Sequence, residues 1–335
     1  MRKTAYLLRL AACLARARAV PGRDWDKAGA LHNLRDRWNT TSAAMADHVT
    51  GTFRVWWSCG TPDGICYGTG TQSGWQYVNE PLIAGFGAAL GICDLQDPTA
   101  IYFNGSYYLY ASGIPAGTPG CPGLGNSGNE HASVYGFISS DGNSWSILNN
   151  GNPVIKISSD PKCYTCYTGH GNWTPSAIVM QSGRLIRVYY SQNTNGMEPP
   201  DGIYAMDSLD GTNFFSPRVI LGQGQWEPVV KKVGITGDYP LVMTYVAGSP
   251  AWPWTATANG PDDTKWITGN GGKPVRLFPP STFVSLEGDE SGRLIDTKGA
   301  YFTGAAGGEI HVWWSSGLPA ALYRGLAETA RYFGF

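Results

Sequence analysis

At 335 residues, with 45 glycines, 22 prolines, 13% aromatic residues and only 15% charged ones, the chain has the composition of a turn-rich β protein large enough to bury a sizeable core. Its 24 basic and 25 acidic residues leave a formal net charge of −1, which removes the electrostatic reason to expect nucleic acid or an anionic membrane as partner. A neutral partner such as carbohydrate fits that balance, and a monomer is expected.

The chain opens with Met1-Arg-Lys-Thr and an apolar stretch interrupted by Arg9, which reads as a leader over residues 1–20 that directs export. Leu10-Ala-Ala-Cys13 has the form of a bacterial lipobox, so Cys13 is a candidate lipidation site. No later apolar run reaches the roughly 18 residues that a transmembrane helix needs. Residues 21–45 form an irregular segment or short helix outside the sheets, because Leu31, Leu34 and Trp38 are helically spaced. Residues 46–335 then form one repeating β domain.

Asp97-Pro98 followed by Thr99–Phe103, the Asn104-Gly105 turn and Ser106–Ser112 reads as a strand, a two-residue hairpin turn and a second strand. The second strand recurs as Val55–Ser58, Val188–Ser191, Val242–Tyr245 and Val312–Ser315. Five copies at a period of about 64 residues predict a five-bladed β-propeller of four-stranded antiparallel sheets, an all-β fold. Ser139-Ser-Asp-Gly-Asn-Ser-Trp145 and Ser208-Leu-Asp-Gly-Thr-Asn-Phe214 repeat a second signature. There Asp141 and Asp210 cap a tight turn, glycine supplies a positive φ, and the aromatic residue packs back on its blade. These two aspartates are structural by this reading. The tail at 322–333 reads as a further strand or a helix.

Six cysteines follow the leader. Cys59 and Cys66 flank one short turn and Cys163 and Cys166 bracket two residues, while Cys93 and Cys121 remain. Without companion histidines or a βαβ context, these pairs read as disulfides of an oxidising compartment, with Cys59–Cys66 and a Cys163–Cys166 or nearby pairing expected. Asn39, Asn104 and Asn172 each stand in an Asn-x-Ser/Thr sequon.

The order Asp-Pro, Gly turn, Tyr-Tyr-Leu-Tyr-x-Ser, then Ser-x-Asp-Gly-x-x-Trp resembles the five-bladed propellers of the glycoside hydrolase family 43 type and their relatives in families 32, 62 and 68. The resemblance spans about Asp47 to Gly317. It implies hydrolysis of sugar linkages by three carboxylates at blade starts: Asp47 as base, Asp97 as the pKa-tuning partner and Glu227 as acid. Two positions differ from the pattern, since His48 rather than Pro follows Asp47, and Thr174-Pro175 opens the third blade where the resemblance places the acid.

Chemistry points the same way, because glycoside hydrolysis needs one protonated carboxyl and one ionised carboxylate across the sugar and calls for no cofactor or metal. Trp226 and Pro228 surround Glu227 with the apolar environment a proton donor requires. Facing Asp47 and Asp97 across a five-fold ring, Glu227 suits an inverting pair about 6.5–9.5 Å apart. Candidate sugar contacts are Thr174, Trp173, Trp226 and Trp57, with His131 and His170 in loops. In the Trp56-Trp57 pair, strand alternation turns one member into the sheet packing. The alternatives are a carbohydrate-binding propeller without catalysis and a protein-interaction propeller.

Overall fold

A computed structural model describes residues 29–33, 39–47, 52–59, 64–71, 74–77, 82–84, 90–115, 132–156, 171–180, 183–193, 201–232, 241–247, 252–258, 260, 265–266, 275–276, 297–303, 309–316 and 325–333; several of these, including both terminal stretches, are described by backbone alone. Five antiparallel sheets follow one another along the chain. The first holds β2 (Asn39–Asp47), β3 (Thr52–Cys59), β4 (Gly64–Thr71) and β5 (Gly74–Tyr77), with β6 (Ile83–Ala84) beside β4. The second holds β7 (Ile92–Phe103), β8 (Ser106–Pro115), β9 (Ser133–Ser139) and β10 (Ser146–Ile147).

In the third are β11 (Gly171–Met180), β12 (Leu185–Asn193), β13 (Gly202–Ser208) and β14 (Phe214–Leu221), and in the fourth β15 (Gln225–Lys232), β16 (Leu241–Ala247), β17 (Trp252–Ala258) and β18 (Val275–Arg276). The fifth is β19 (Thr297–Thr303), β20 (Glu309–Ser316) and β21 (Gly325–Phe333), completed by the N-terminal strand β1 (Gly29–Asn33). The first strands of the sheets touch in the order β2, β7, β11, β15, β19 and back to β2. This closed ring is the all-β propeller expected from the hairpin repeat.

The expectation for residues 21–45 needs correction, and the tail takes the strand form of its two readings. Gly29–Asn33 is a strand paired with β21, not a helix, and β2 begins at Asn39, so residues 21–45 contribute to the sheets. Helical spacing over so short a stretch yields to the unpaired edge of the last sheet, whose N–H and C=O groups β1 satisfies. The tail 325–333 is likewise a strand.

Both faces of the central sheets are buried, so alternate residues of one strand enter different cores. In β8, Leu109 and Ala111 join Trp56, Ile65, Tyr67 and Phe137 between the first and second sheets. Their neighbours Tyr108 and Tyr110 join Ile101, Val134, Val188 and Tyr190 between the second and third. Tyr189 faces the other way, into the core with Met243 and Tyr245 between the third and fourth. This explains the near-continuous apolar runs, since a strand with only one buried face would alternate.

The Asn104-Gly105 hairpin is as expected, with φ of 47° and 82° at its two turn residues. The Ser-x-Asp-Gly turns are also built as read. Asp141 Oδ1 accepts the N–H groups of Asn143 and Ser144 at 2.7 and 2.8 Å, and Asp210 Oδ1 accepts those of Thr212 and Asn213 at 2.8 Å each. Ser139 and Ser208 Oγ accept the N–H groups of Gly142 and Gly211.

The aromatic residue that ends each signature packs on the preceding sheet rather than its own. Trp145 meets Trp56 edge-on at 6.2 Å, and Phe214 meets Tyr110 edge-on at 5.6 Å. The turns are held to that same neighbour: Arg54 Nη1 donates to the Asp141 carbonyl at 2.8 Å and Tyr110 Oη to the Gly211 carbonyl at 2.9 Å. Arg54 also lies 4.9 Å from the centroid of the Tyr107 ring, a cation–π contact. The signature is therefore a latch between sheets.

Cys66 is buried in β4 and disulfide-bonded, with its partner outside the described side chains. The side chains of Cys59, Cys93, Cys121, Cys163 and Cys166, and the leader with Cys13, also lie outside the description. Asn172 is buried and its Nδ2 donates to the Lys156 carbonyl, so this sequon is closed to modification. Asn104 is exposed at its turn.

Gly211 has φ +79° and an added Cβ would stand 2.4 Å from the Tyr108 ring. Gly211→Ala combines left-handed strain with overpacking and is expected to lower unfolding free energy by about 2–4 kcal/mol in urea titration; a loss under about 1 kcal/mol would refute the latch. The turn carboxylates also set acid stability. Asp141 is lowered to about 2 by N–H bonds from Ser144 and Asn143; in Asp210 desolvation pushes upward, but bonds from Asn213, Thr212 and Ser208 outweigh it and bring the group to about 2. A depressed carboxyl contributes stability in full above its unfolded value and loses it as pH falls through the folded one. Stability should therefore fall between about pH 4 and pH 2, and Asp210→Asn should flatten that slope in acid denaturation.

Candidate active site

The ring of innermost strands carries one repeated irregularity. In β7 the register with β8 runs from Gln96↔Ser112 to Thr99↔Tyr110, so Asp97 and Pro98 together oppose Ala111. In β11 Thr174 and Pro175 together oppose Tyr190, and in β15 Glu227 and Pro228 oppose Tyr245. Each is a β-bulge, and Asp97, Thr174 and Glu227 share left-handed φ values of 55°, 49° and 53°. Proline fits the second bulge position because its missing N–H has no ladder partner there. The Asp-Pro pair thus sits inside a strand that begins five residues earlier, at Ile92, and does not open it.

At the bulge, the main-chain N–H turns to the preceding sheet. Thr174 N–H donates to Ser112 Oγ at 2.8 Å, and Glu227 N–H donates to Ser191 Oγ at 2.7 Å. Three residues later the pattern repeats, with Ala177 N–H on Thr99 Oγ1 and Val230 N–H on Ser176 Oγ. Ser112 in turn donates to Asp97 Oδ2 at 3.0 Å. Thr174 Oγ1 gives its one proton to the Trp173 carbonyl, so the 2.6 Å contact between Thr174 and Ser191 has Ser191 as donor.

The outcome is a directed chain across three sheets. From Glu227 N–H it runs through the hydroxyls of Ser191 and Thr174, and from Thr174 N–H through the hydroxyl of Ser112 to the Asp97 carboxylate. Asp97, Thr174 and Glu227 are all buried. The Ser112 hydroxyl thus orients the Asp97 carboxyl, while Glu227 is positioned through its own backbone. Left-handed φ at a β-branched residue such as Thr174 is strained, and such strain persists where the surroundings over-determine it.

Asp47 stands apart from these residues. It is the last residue of β2, paired with Thr52 beside the hairpin, whereas the bulge of β2 lies between Asn39 and Ser42. The position equivalent to Asp97 and Glu227 in the first sheet is thus Thr40. About seven residues of strand separate Thr40 from Asp47, or roughly 20 Å at strand rise. Counting Asp47-His48 as a strand opening set it at the wrong end of its strand; the bulge opposite Ser58 is the signal that locates the position.

The other candidates divide. Trp173 is buried with Ile114 and Ala132, in packing rather than at an open surface. Trp226 is half-exposed beside Glu227. Trp56 is the fully buried member of its pair, against Tyr67 and Trp145. The side chain of Trp57, with His131 and His170, lies outside the description. Sequence reasoning missed Ser112 and Ser191, although both end the repeated aromatic motif and their recurrence was visible. No cluster of three or more His, Cys, Asp or Glu able to hold a metal occurs among the described residues.

No family model matches the chain and no curated protein is found similar to it in sequence. Solved structures do match. A thermostable family-43 glycoside hydrolase is 15% identical with a TM-score of 0.63, over 92% of this chain and 93% of its own. An endo-arabinase from Bacteroides thetaiotaomicron is 13% identical with a TM-score of 0.60, over 93% of this chain and 100% of its own. The catalytic domain of a GH62 α-L-arabinofuranosidase from Coprinopsis cinerea is 11% identical with a TM-score of 0.56, over 93% of this chain and 98% of its own. The chain has the propeller fold that these glycoside hydrolases share.

Proposed function

We propose that this protein is an exported glycoside hydrolase in which Glu227 protonates the departing glycosidic oxygen and Asp97, as an ionised carboxylate, activates the attacking water. The observation that carries the reading is the hydroxyl chain that runs from the main-chain N–H of buried Glu227 to the carboxylate of buried Asp97, on alternate innermost strands. An inverting site places such a pair about 6.5–9.5 Å apart, with the attacking water held by the base, the arrangement proposed here for Asp97 and Glu227. Asp47, at the far end of β2, has no part in this arrangement, and Asp97 takes the role of base.

Arabinose- or fructose-containing glycans are the proposed substrates. Structural neighbours include an exo-1,5-α-L-arabinanase and a fructofuranosidase complexed with fructosylnystose. The disulfide at Cys66 supports an oxidising compartment.

Carbohydrate binding without turnover is favoured by one specific observation. Thr40 and Thr174 stand where Asp97 and Glu227 stand in their own sheets, so two of the bulge positions carry hydroxyls instead of carboxyls. One set of variants separates the readings. Glu227→Gln should lower kcat on arabinan about 10²–10⁴-fold while KM changes little, and should hurt an aryl glycoside with an activated leaving group less. Asp97→Asn should lower kcat by a similar factor on both substrates, because the amide cannot take the proton of the attacking water. Full activity of Glu227→Gln, or sugar binding by the unmodified protein with no release of reducing ends, would overturn the hydrolase reading.

A further inference from the structure

The core between the second and third sheets does not close at one flank. It opens into a groove of about 830 Å³ whose lining joins the segment 149–156 of the second sheet to β12, β13 and β14 of the third. That volume lies in the range of small-molecule sites, about 300–1,000 Å³. Asn172 and Gln192 line the groove and pair with each other across β11 and β12. Their sequence neighbours Trp173 and Ser191 belong to the hydroxyl chain, and strand alternation puts the two sets on opposite faces of the third sheet. The groove is thus separate from the carboxylates, which stand on β7 and β15, although it shares the strands of Thr174 and Ser191.

Its chemistry is specific. Tyr204 is half-exposed and stacks on buried Tyr190, with ring centroids 6.2 Å apart and an interplanar angle of 29°. Half-exposed Phe214 and Met206 extend this apolar floor. Hydrogen-bonding groups stand around it without protein partners among the described residues: the Gln192 carboxamide, the Thr212 hydroxyl and the Oδ1 atoms of Asn149 and Asn213. The amide nitrogens of the last two are already given to the Pro153 carbonyl and to Asp210. Arg218, also in the lining, is paired with Asp207 at 3.1 Å and donates to the Ser216 carbonyl. No carboxylate lines the groove. Exposed Lys156 adds one cation at the edge of the lining; the aromatic platform itself, ringed by neutral acceptors and a two-way carboxamide, complements a ligand with one apolar face and many hydroxyls.

We propose that this groove is a second carbohydrate-binding site, which holds a short stretch of a neutral polysaccharide away from the carboxylates. The choice of carbohydrate over another polyhydroxy ligand rests on the proposed function; the existence of a site does not. Binding is read without turnover, by retardation in native gels containing soluble arabinan or levan, with the Glu227→Gln variant beside the unmodified protein. Both should be retarded by at least one polymer. Tyr204→Ala, and separately Gln192→Ala with Thr212→Ala, should weaken that retardation about fivefold or more, since losing one stacked ring or two sugar hydrogen bonds is worth about 1 kcal/mol or more. Hydrolysis of a short arabino-oligosaccharide by the same variants should stay within about twofold, a smaller change than loss of one such contact. The Gln192/Thr212 variant touches no core residue and keeps the test valid should Tyr204→Ala fail to fold. Unchanged retardation of the groove variants, or no retardation of the unmodified protein in either gel, overturns the proposal. Failure of Glu227→Gln to reduce hydrolysis overturns the catalytic reading alone.

Discussion

The structure depends on a main-chain N–H that leaves its own sheet. At the bulges of β11 and β15, Thr174 and Glu227 cannot complete their ladders, and a buried amide without an acceptor costs about 1–3 kcal/mol. Ser112 and Ser191 of the preceding sheets supply that acceptor at 2.8 and 2.7 Å. One bond thereby satisfies the defect, docks a sheet onto its neighbour and holds the bulge residue in its left-handed conformation. Removing either serine would release all three effects together.

Around that inner ring, the same sheets are latched a second time by the Ser-x-Asp-Gly turns. Arg54 and Tyr110 reach forward from one sheet to the turn carbonyls of the next, and Trp145 and Phe214 reach back. Between hydroxyl clamps and latches lie the shared cores, where fully buried side chains such as Leu109, Phe137 and Tyr110 each contribute about 1.5–3 kcal/mol. Closure of the ring is a separate matter, achieved by β1 on β21. The sheets are similar, but their junctions are where the sequence is most particular.

Placing carboxylates on these bulges has a chemical consequence. A side chain on a regular strand position shares its orientation with residues two away, whereas a bulge re-aims it and relieves it of ladder geometry. Asp97 and Glu227 gain that freedom while a neighbouring hydroxyl holds the Glu227 main-chain N–H and another the Asp97 carboxylate; in the proposed hydrolase, such placement of reacting groups would be worth several orders of magnitude in rate. The strain at Asp97, Thr174 and Glu227 is the cost of that placement.

Much of this was legible in the residues. Asn104-Gly105 specifies a two-residue hairpin because both positions must take positive φ, and Ser-x-Asp-Gly specifies its turn because Asp and Ser satisfy the local N–H groups within a few residues. Recurrence of these local codes determined the all-β propeller, while the resemblance to glycoside hydrolase propellers pointed to Asp97 and Glu227, each before a proline that a regular strand would not accept. What required the tertiary structure were the relations without local cause. Register decided that Thr40, not Asp47, occupies the bulge position of the first sheet, because pairing depends on a partner strand that neither residue encodes. Sheet packing decided that Trp145 and Phe214 latch the preceding sheet, and that Ser191 holds the Glu227 main-chain N–H while Ser112 holds the Asp97 carboxylate. Those contacts link residues far apart in the chain, and only the closed ring brings them within hydrogen-bonding distance.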